Sequence, residues 1–123
     1  MGELLHSEIT ERVIGAAFEV HRELGPGFLE AIYEKALVQE LALRGVRCER
    51  QVRIPIAYKR VRVGTHVLDL VVENLIVVEL KAQAELAEIN TAIVLSYLAA
   101  ARRRVALLLN FGKTQLEFRR VVR

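Results

Sequence analysis

Residues 68–82 read LDLVVENLIVVELKA, Leu68 to Ala82, and the way this stretch pairs with itself decides both the fold and the chemistry. Two runs rich in Leu, Val and Ile flank Glu73 and Asn74, the pattern of two strands joined by a tight turn. Three ionisable residues stand inside those runs: Asp69 in the first, Glu79 and Lys81 in the second. A charge inside an apolar strand is costly unless something compensates it. Glu79 and Lys81 are two apart and so project from one face of their strand. Whether Asp69 joins them depends on register. A two-residue turn at Glu73-Asn74 would pair Val72 with Leu75 and set Asp69 opposite Val78, leaving Glu79 on the other side of the sheet. A three-residue loop from Glu73 to Leu75, with Asn74 left-handed, would pair Val72 with Ile76 and set Asp69 opposite Glu79, with Cβ atoms about 5 Å apart.

Two carboxylates that close in a partly dry site repel unless one takes up a proton or a cation sits between them. Oxygen ligands from Asp69 and Glu79, with the backbone carbonyl of Leu80 and several waters, suit Mg²⁺ or Mn²⁺. Lys81 would stand beside that ion, placed to steady charge developing on a phosphate or to position water. The plainer alternative is a salt bridge between Glu79 and Lys81 at a strand end.

Outward from this centre, the period is two from Val46 to Lys81, with strands expected at 47–59, 61–72 and 76–81, and Pro55 is tolerable only at an edge or irregular position. Before it, Ile9, Val13, Ala16, Val20 and Leu24 mark one face of a helix from Ser7 to Leu24, ended by Gly25-Pro26-Gly27. A second helix is expected from about Phe28 to Arg44, with Tyr33, Leu37 and Leu41 inward and Gly45 just past its end. Glu30 lies three, seven and eleven residues before those three, on the same stripe, and serves either as a metal or water ligand or as a capping acid where the helix dipole favours negative charge. After the centre, Leu86, Ile89, Ile93, Tyr97 and Ala100 continue at helical spacing while Val94, Leu95 and Leu98 make the neighbouring face apolar. That helix is either buried nearly all round or covered by a partner. Val105 to Asn110 suits a buried strand, and Gln115 to Val122 a last one. The order is α-α-β-β-β-α-β-β.

With 123 residues, of which 53% are apolar and 27% charged, the chain fits one domain over 1–123 with a core of its own. One cysteine, Cys48, excludes an internal disulfide, and no Cys/His spacing suits structural zinc, so a reducing, cytoplasmic setting is expected. Cys48 has no activating neighbour. Glu3 and Glu8 stand where a signal peptide needs positive charge, and the longest apolar run, Ala92 to Ala101, is too short for a membrane span. A net charge of +3 is compatible with a polyanion without requiring one. Local density says more, with Arg44, Arg47, Arg50, Arg53, Lys59, Arg60 and Arg62 in the middle and Arg102 to Arg104 later. His6, His21 and His66 share no ligand spacing, Asn110 reads as a strand-end turn residue, and no nucleotide-binding glycine motif is present.

The segment GPGFLEAIYEKAL holds Gly27, Glu30 and Tyr33 as G-x-x-E-x-x-Y and resembles the bacterial GxxExxY protein family of the PD-(D/E)XK nuclease-like superfamily. The resemblance covers nearly the whole chain, through EVHRELGPGFLEAIYEKAL, IPIAYKRVRVG, LDLVVENLIVVELKA, SYL and LLLNFG. It implies an α/β (α+β), restriction-endonuclease-like α-β-β-β-α-β core, a mixed sheet flanked by helices, here with an extra N-terminal helix and a C-terminal strand. It further implies Asp69, Glu79 and Lys81 as the active-site signature and Glu30 as an additional acid. Tyr33 and Tyr97 are read as core aromatics whose hydroxyls support the site. The expected activity is Mg²⁺- or Mn²⁺-dependent hydrolysis of phosphodiester bonds in DNA or RNA. In one respect the chain departs from relatives: Ile93 stands where they commonly carry a Gln that helps hold substrate or metal, and Asn90 and Gln83 are the candidate substitutes. That departure leaves open a second expectation, a weak or inactive nuclease fold acting as a nucleic-acid-binding or assembly module, with homodimerisation through the apolar helix from Ile93 to Ala101.

Overall fold

Five strands form one mixed sheet in the order β1-β2-β3-β4-β5, with helices on both faces. The computed structural model describes residues 4–123, so Glu3 lies outside the described residues. The elements are α1 (Ser7–Leu24), α2 (Glu30–Leu43), β1 (Cys48–Tyr58), β2 (Val61–Val72), β3 (Ile76–Lys81), α3 (Glu88–Ala101), β4 (Val105–Asn110) and β5 (Glu117–Val122). Only β3 and β4 are parallel, and α3 is the crossover that such a pair requires. This is the expected α+β architecture. Element ends differ from the sequence expectation by one or two residues, where helix and strand termini fray.

Helices α1 and α2 cover one face. Val13, Ala16, Val20, Tyr33, Leu37 and Leu41 pack there on Leu70, Val72, Ile76, Val78, Leu80, Leu107 and Leu109. On the other face Val94 and Leu98 of α3 meet Val71, Val77, Ala106 and Leu108. Because both faces are covered, β3 and β4 are buried at nearly every position, as central strands of this kind require. Helix α2 ends as the sequence suggests. Gly45 is left-handed (φ 73°), its N–H bonds Ala42 O, and the Val46 N–H bonds Leu41 O, which satisfies two terminal carbonyls. Pro55 sits in edge strand β1 opposite Thr65, next to a register shift at Ile56/Ala57. Helix α3 is not buried all round: one side is buried, and Ile89, Ile93 and Leu95 face outward.

The register that decides the chemistry is the three-residue one. Val72 pairs with Ile76, and Glu73 and Asn74 are both left-handed, with φ of 52° and 56°. Side chains hold this turn from two directions: the Glu73 carboxylate accepts from the Arg47 backbone N–H, and the Asn74 amide oxygen accepts from the Arg103 guanidinium.

Candidate functional site

Strands β2 and β3 pair through their main chains only as far as Leu70↔Val78. Beyond that rung two carboxylates replace the ladder. The Asp69 backbone N–H donates to Glu79 Oε1 at 2.9 Å, and the Leu80 backbone N–H donates to Asp69 Oδ2 at 2.9 Å. Alternation also breaks here, since Leu68 and Val71 belong to the α3-side cluster while Leu70 and Val72 belong to the other. Gln51, at the corresponding place in β1, is left-handed at φ 52°. The strands thus part at Asp69, where carboxylate bonds take the place of main-chain rungs while the core rungs are kept.

Glu79 is only 5% exposed. Burial, and next the neighbouring Asp69 charge, push its carboxyl up to about 8. Asp69 is raised too, chiefly by burial, with the Leu80 N–H pulling the other way and the Glu34 charge adding to the rise. At neutral pH the pair therefore keeps a proton. Lys81 is half-buried, and its charge opposes both rises without forming a salt bridge to either acid. The simple Glu79–Lys81 pair considered from sequence is thus not what the strand end holds.

Tyr97, on α3, has its phenol pushed up by burial and then by the Glu79 and Asp69 charges. Its ring meets His66 edge-on at 4.5 Å. Ser96 donates its hydroxyl to Ile93 O at 2.6 Å, so its 3.3 Å contact with His66 Nε2 uses the ring N–H. In the sequence His66 shows only a lack of ligand spacing to the other histidines.

Two expectations need correction. Glu30 is exposed, not inward, and among the described residues no group of three His, Cys, Asp or Glu side chains comes together as a metal cluster. The reason lies in Tyr33, which leans toward the helix N-terminus as helical side chains do and fills the space beneath the first turn. Its hydroxyl donates to Gly25 O and accepts from the Phe28 N–H, and its ring stacks on Phe111 at 4.7 Å. Tyr33 therefore clamps the turn between α1 and α2; its hydroxyl does not reach the acids. The acid α2 does bury is Glu34, also 5% exposed, bound by Arg50 at 2.9 Å and by Gln51 at 2.8 Å. Glu34 lies three and seven residues before Leu37 and Leu41, so the spacing that selected Glu30 selected Glu34 as well.

Asn110 is likewise more than a turn residue. Fully buried, it accepts from the Gln83 and Gly112 backbone N–H groups and donates to Gln83 O and to Glu117. Gln83 and Asn90, the candidate substitutes for the missing Gln, bond each other at 2.9 Å, and Asn90 also caps α3 through the Ala87 N–H. Both serve the fold. A polar residue closing an entirely apolar strand was the available signal for Asn110.

The donor set fits a divalent cation. Two buried carboxylates with raised proton affinity are relieved by a positive ion as well as by a proton. N–H and C=O of one strand residue face the same neighbour, so Leu80, whose N–H meets Asp69, turns its carbonyl to that side as well. A groove of about 850 Å³ borders the 73–75 turn and is lined by neither acid.

Among the described residues no helix is long and apolar enough to cross a membrane. A family model described as the PD-(D/E)XK nuclease superfamily matches residues 7–121. Comparison with curated proteins and with solved structures gives no match.

Proposed function

The chain belongs to the PD-(D/E)XK nuclease superfamily, and from that premise we propose that it is a metal-dependent nuclease of the GxxExxY type that hydrolyses phosphodiester bonds in DNA or RNA. The observation that carries this reading is the pair of cross-strand bonds, Asp69 N–H to the Glu79 carboxylate and Leu80 N–H to the Asp69 carboxylate, where the β2–β3 ladder stops. Asp69, Glu79 and the Leu80 carbonyl would hold Mg²⁺ or Mn²⁺, which when bound polarises the scissile phosphate and lowers the pKa of a coordinated water.

The remaining work falls to this chain's own groups. The Leu80 and Asp69 backbone N–H groups hold the two carboxylates in place, so little reorganisation is needed when the site loads. Lys81, cationic and half-buried, offsets charge that builds on the phosphate in the transition state. Tyr97 and its partner His66 wall the α3 side. Glu34 stands behind Asp69, tied to Arg50 and Gln51, and Glu30 has no assigned part. A reducing, cytoplasmic setting is part of this reading, resting on the single cysteine, Cys48.

The outward, apolar Ile93 favours a second reading, an inactive module that binds nucleic acid and self-associates through Ile89, Ile93 and Leu95. Purified protein incubated with single- and double-stranded DNA and RNA decides between them. Mg²⁺- or Mn²⁺-dependent cleavage that disappears in Asp69→Ala supports the nuclease; binding without turnover, or turnover unchanged by Asp69→Ala, removes it.

A further inference from the structure

Strands β1 and β2 run far past the rest of the sheet. Rungs that also neighbour β3 involve only Leu70 to Val72 of β2, yet β1 and β2 remain paired out to Tyr58↔Val61. The overhang springs from Asp69, the point where the candidate site lies, and at about 3.4 Å per residue the eight residues from Val61 to Leu68 reach roughly 27 Å.

The overhang's charge is one-sided. From Arg50 to Leu68 the sequence has no acidic residue and carries Arg50, Arg53, Lys59, Arg60 and Arg62. Arg50 is paired with Glu34, but the other four have no acidic partner among the described residues. Arg53, Lys59, Arg60 and Arg62 are all exposed. Cross-strand pairing puts Arg53↔Val67, Pro55↔Thr65 and Ala57↔Arg62 on one face, where Arg62 reaches Thr65 Oγ1 at 2.8 Å. The opposite face, with Val52, Ile54 and His66, turns toward α3.

The tip adds an independent observation. Lys59 and Arg60 form the two-residue turn, and both are left-handed, with φ of 47° and 73°. Such a turn favours Asn-Gly, because a side chain in this conformation is strained. Two cations kept at strained positions, on an arm without one acid, are placed for something other than folding.

We propose that this β1–β2 arm grips the phosphate backbone of a nucleic acid duplex and lays it across the Asp69–Glu79 site; the inference rests on the nuclease reading and deepens it. Charge complementarity identifies the occupant. A second copy would bring a like-charged arm against this one, which repels. A single strand would call for stacking aromatics, and the arm has one, Tyr58, whose ring already faces Lys59 Nζ at 5.4 Å. A two-stranded ribbon has the dimensions of a duplex groove.

The test is equilibrium binding of a 20-base-pair duplex, followed by fluorescence anisotropy over a series of salt concentrations without divalent metal, in an Asp69→Asn background. Lys59→Asn with Arg60→Gly removes both tip charges and installs the preferred turn, so folding should be retained or improved in thermal melts. Affinity should nevertheless fall roughly tenfold or more, and the salt slope by about 0.9 per cation removed. Arg53→Gln with Arg62→Gln should act alike. Unchanged affinity and slope in both variants overturns the proposal. So does no duplex binding by the parent, tighter binding of a single strand of equal length, or loss of a dimer in light scattering as the main effect. Failure of the arm would leave metal-dependent cleavage by the parent chain and its dependence on Asp69 intact, whereas failure of the nuclease reading would leave binding without cleavage.

Discussion

Two polar clusters close the C-terminal ends of the paired central strands β3 and β4, and they are built in opposite ways. Around Asn110 every polar group has a partner. The amide serves Gln83, Gly112 and Glu117, and the Glu117 carboxyl is held below its usual range, first by the Asn110 bond and also by the Leu86 N–H. A few residues away, Asp69 and Glu79 each accept one backbone N–H yet lean their charges on each other, and both carboxyls are pushed up. Glu34 makes the same point on α2: as buried as Glu79, it has Arg50 and Gln51 to itself. A satisfied buried polar cluster specifies structure; one left electrostatically short leaves room for a ligand.

The contrast breaks most visibly if the satisfied cluster proves dispensable. Asn110→Ala should cost about 3 kcal/mol, because Gln83 and Gly112 groups lose partners in a buried setting. Thermal unfolding should show a fall of roughly 10 °C. Gly112→Ala should behave similarly, since an added Cβ would lie 2.4 Å from both Gln83 N and Gln83 O. A midpoint within a degree of the parent in either variant would undo the assignment of this cluster to the fold.

The unsatisfied pair should respond the other way. Asp69→Ala should lower metal-dependent cleavage by roughly 100-fold, about 2.7 kcal/mol in barrier. Its melting temperature should fall by less than that of Asn110→Ala, because only the Leu80 N–H loses its partner while Glu79 is relieved of a neighbouring charge that raises its carboxyl. Parallel cleavage assays and melts measure both.

The pH dependence sharpens the comparison further. Glu79 keeps its proton up to about 8 in the fold, while an unfolded Glu releases it near the ordinary value of 4.5. Between those values the native state binds more protons than the unfolded one, so metal-free stability falls as pH rises through that window. Asp69, raised as well, adds in the same direction. The loss should be about 3 kcal/mol between pH 5 and pH 8, because one proton held over most of that window contributes up to about 1.4 kcal/mol per unit. Glu79→Gln should flatten the profile, and Mn²⁺ should raise the parent's midpoint more at pH 8 than at pH 5. Chemical denaturation at fixed pH, with and without EDTA, reads these effects, and a flat parent profile would count against the strained pair.

The smallest effect separates the two acids of α2. Glu30→Gln should change cleavage less than about twofold, being exposed, whereas Glu34→Gln should cost about 1 kcal/mol through its weakened Arg50 pair. A large loss of cleavage in Glu30→Gln would restore it to the site.

Much of this was legible in residue order. Alternation placed β1 to β3, the unbroken run from Val105 to Asn110 marked a strand covered on both sides, and Gly45 marked the end of α2. Asp69, Glu79 and Lys81 stood out because strands with buried faces rarely carry charges. Glu34, Asn110 and His66 were harder to find because their roles depend on partners 16, 27 and 30 residues distant, namely Arg50, Gln83 and Ser96.

Periodicity and apolar composition, which are local properties of the chain, determined the elements, their order and the charges that have no business in a core. Only tertiary structure decided what those charges do. The register across the 73–75 turn, the end of the β2–β3 ladder at Leu70↔Val78 and the space Tyr33 takes from Glu30 each follow from contacts between segments. Periodicity cannot resolve a shift of one residue in pairing, and that shift places an acid on one side of a sheet or the other.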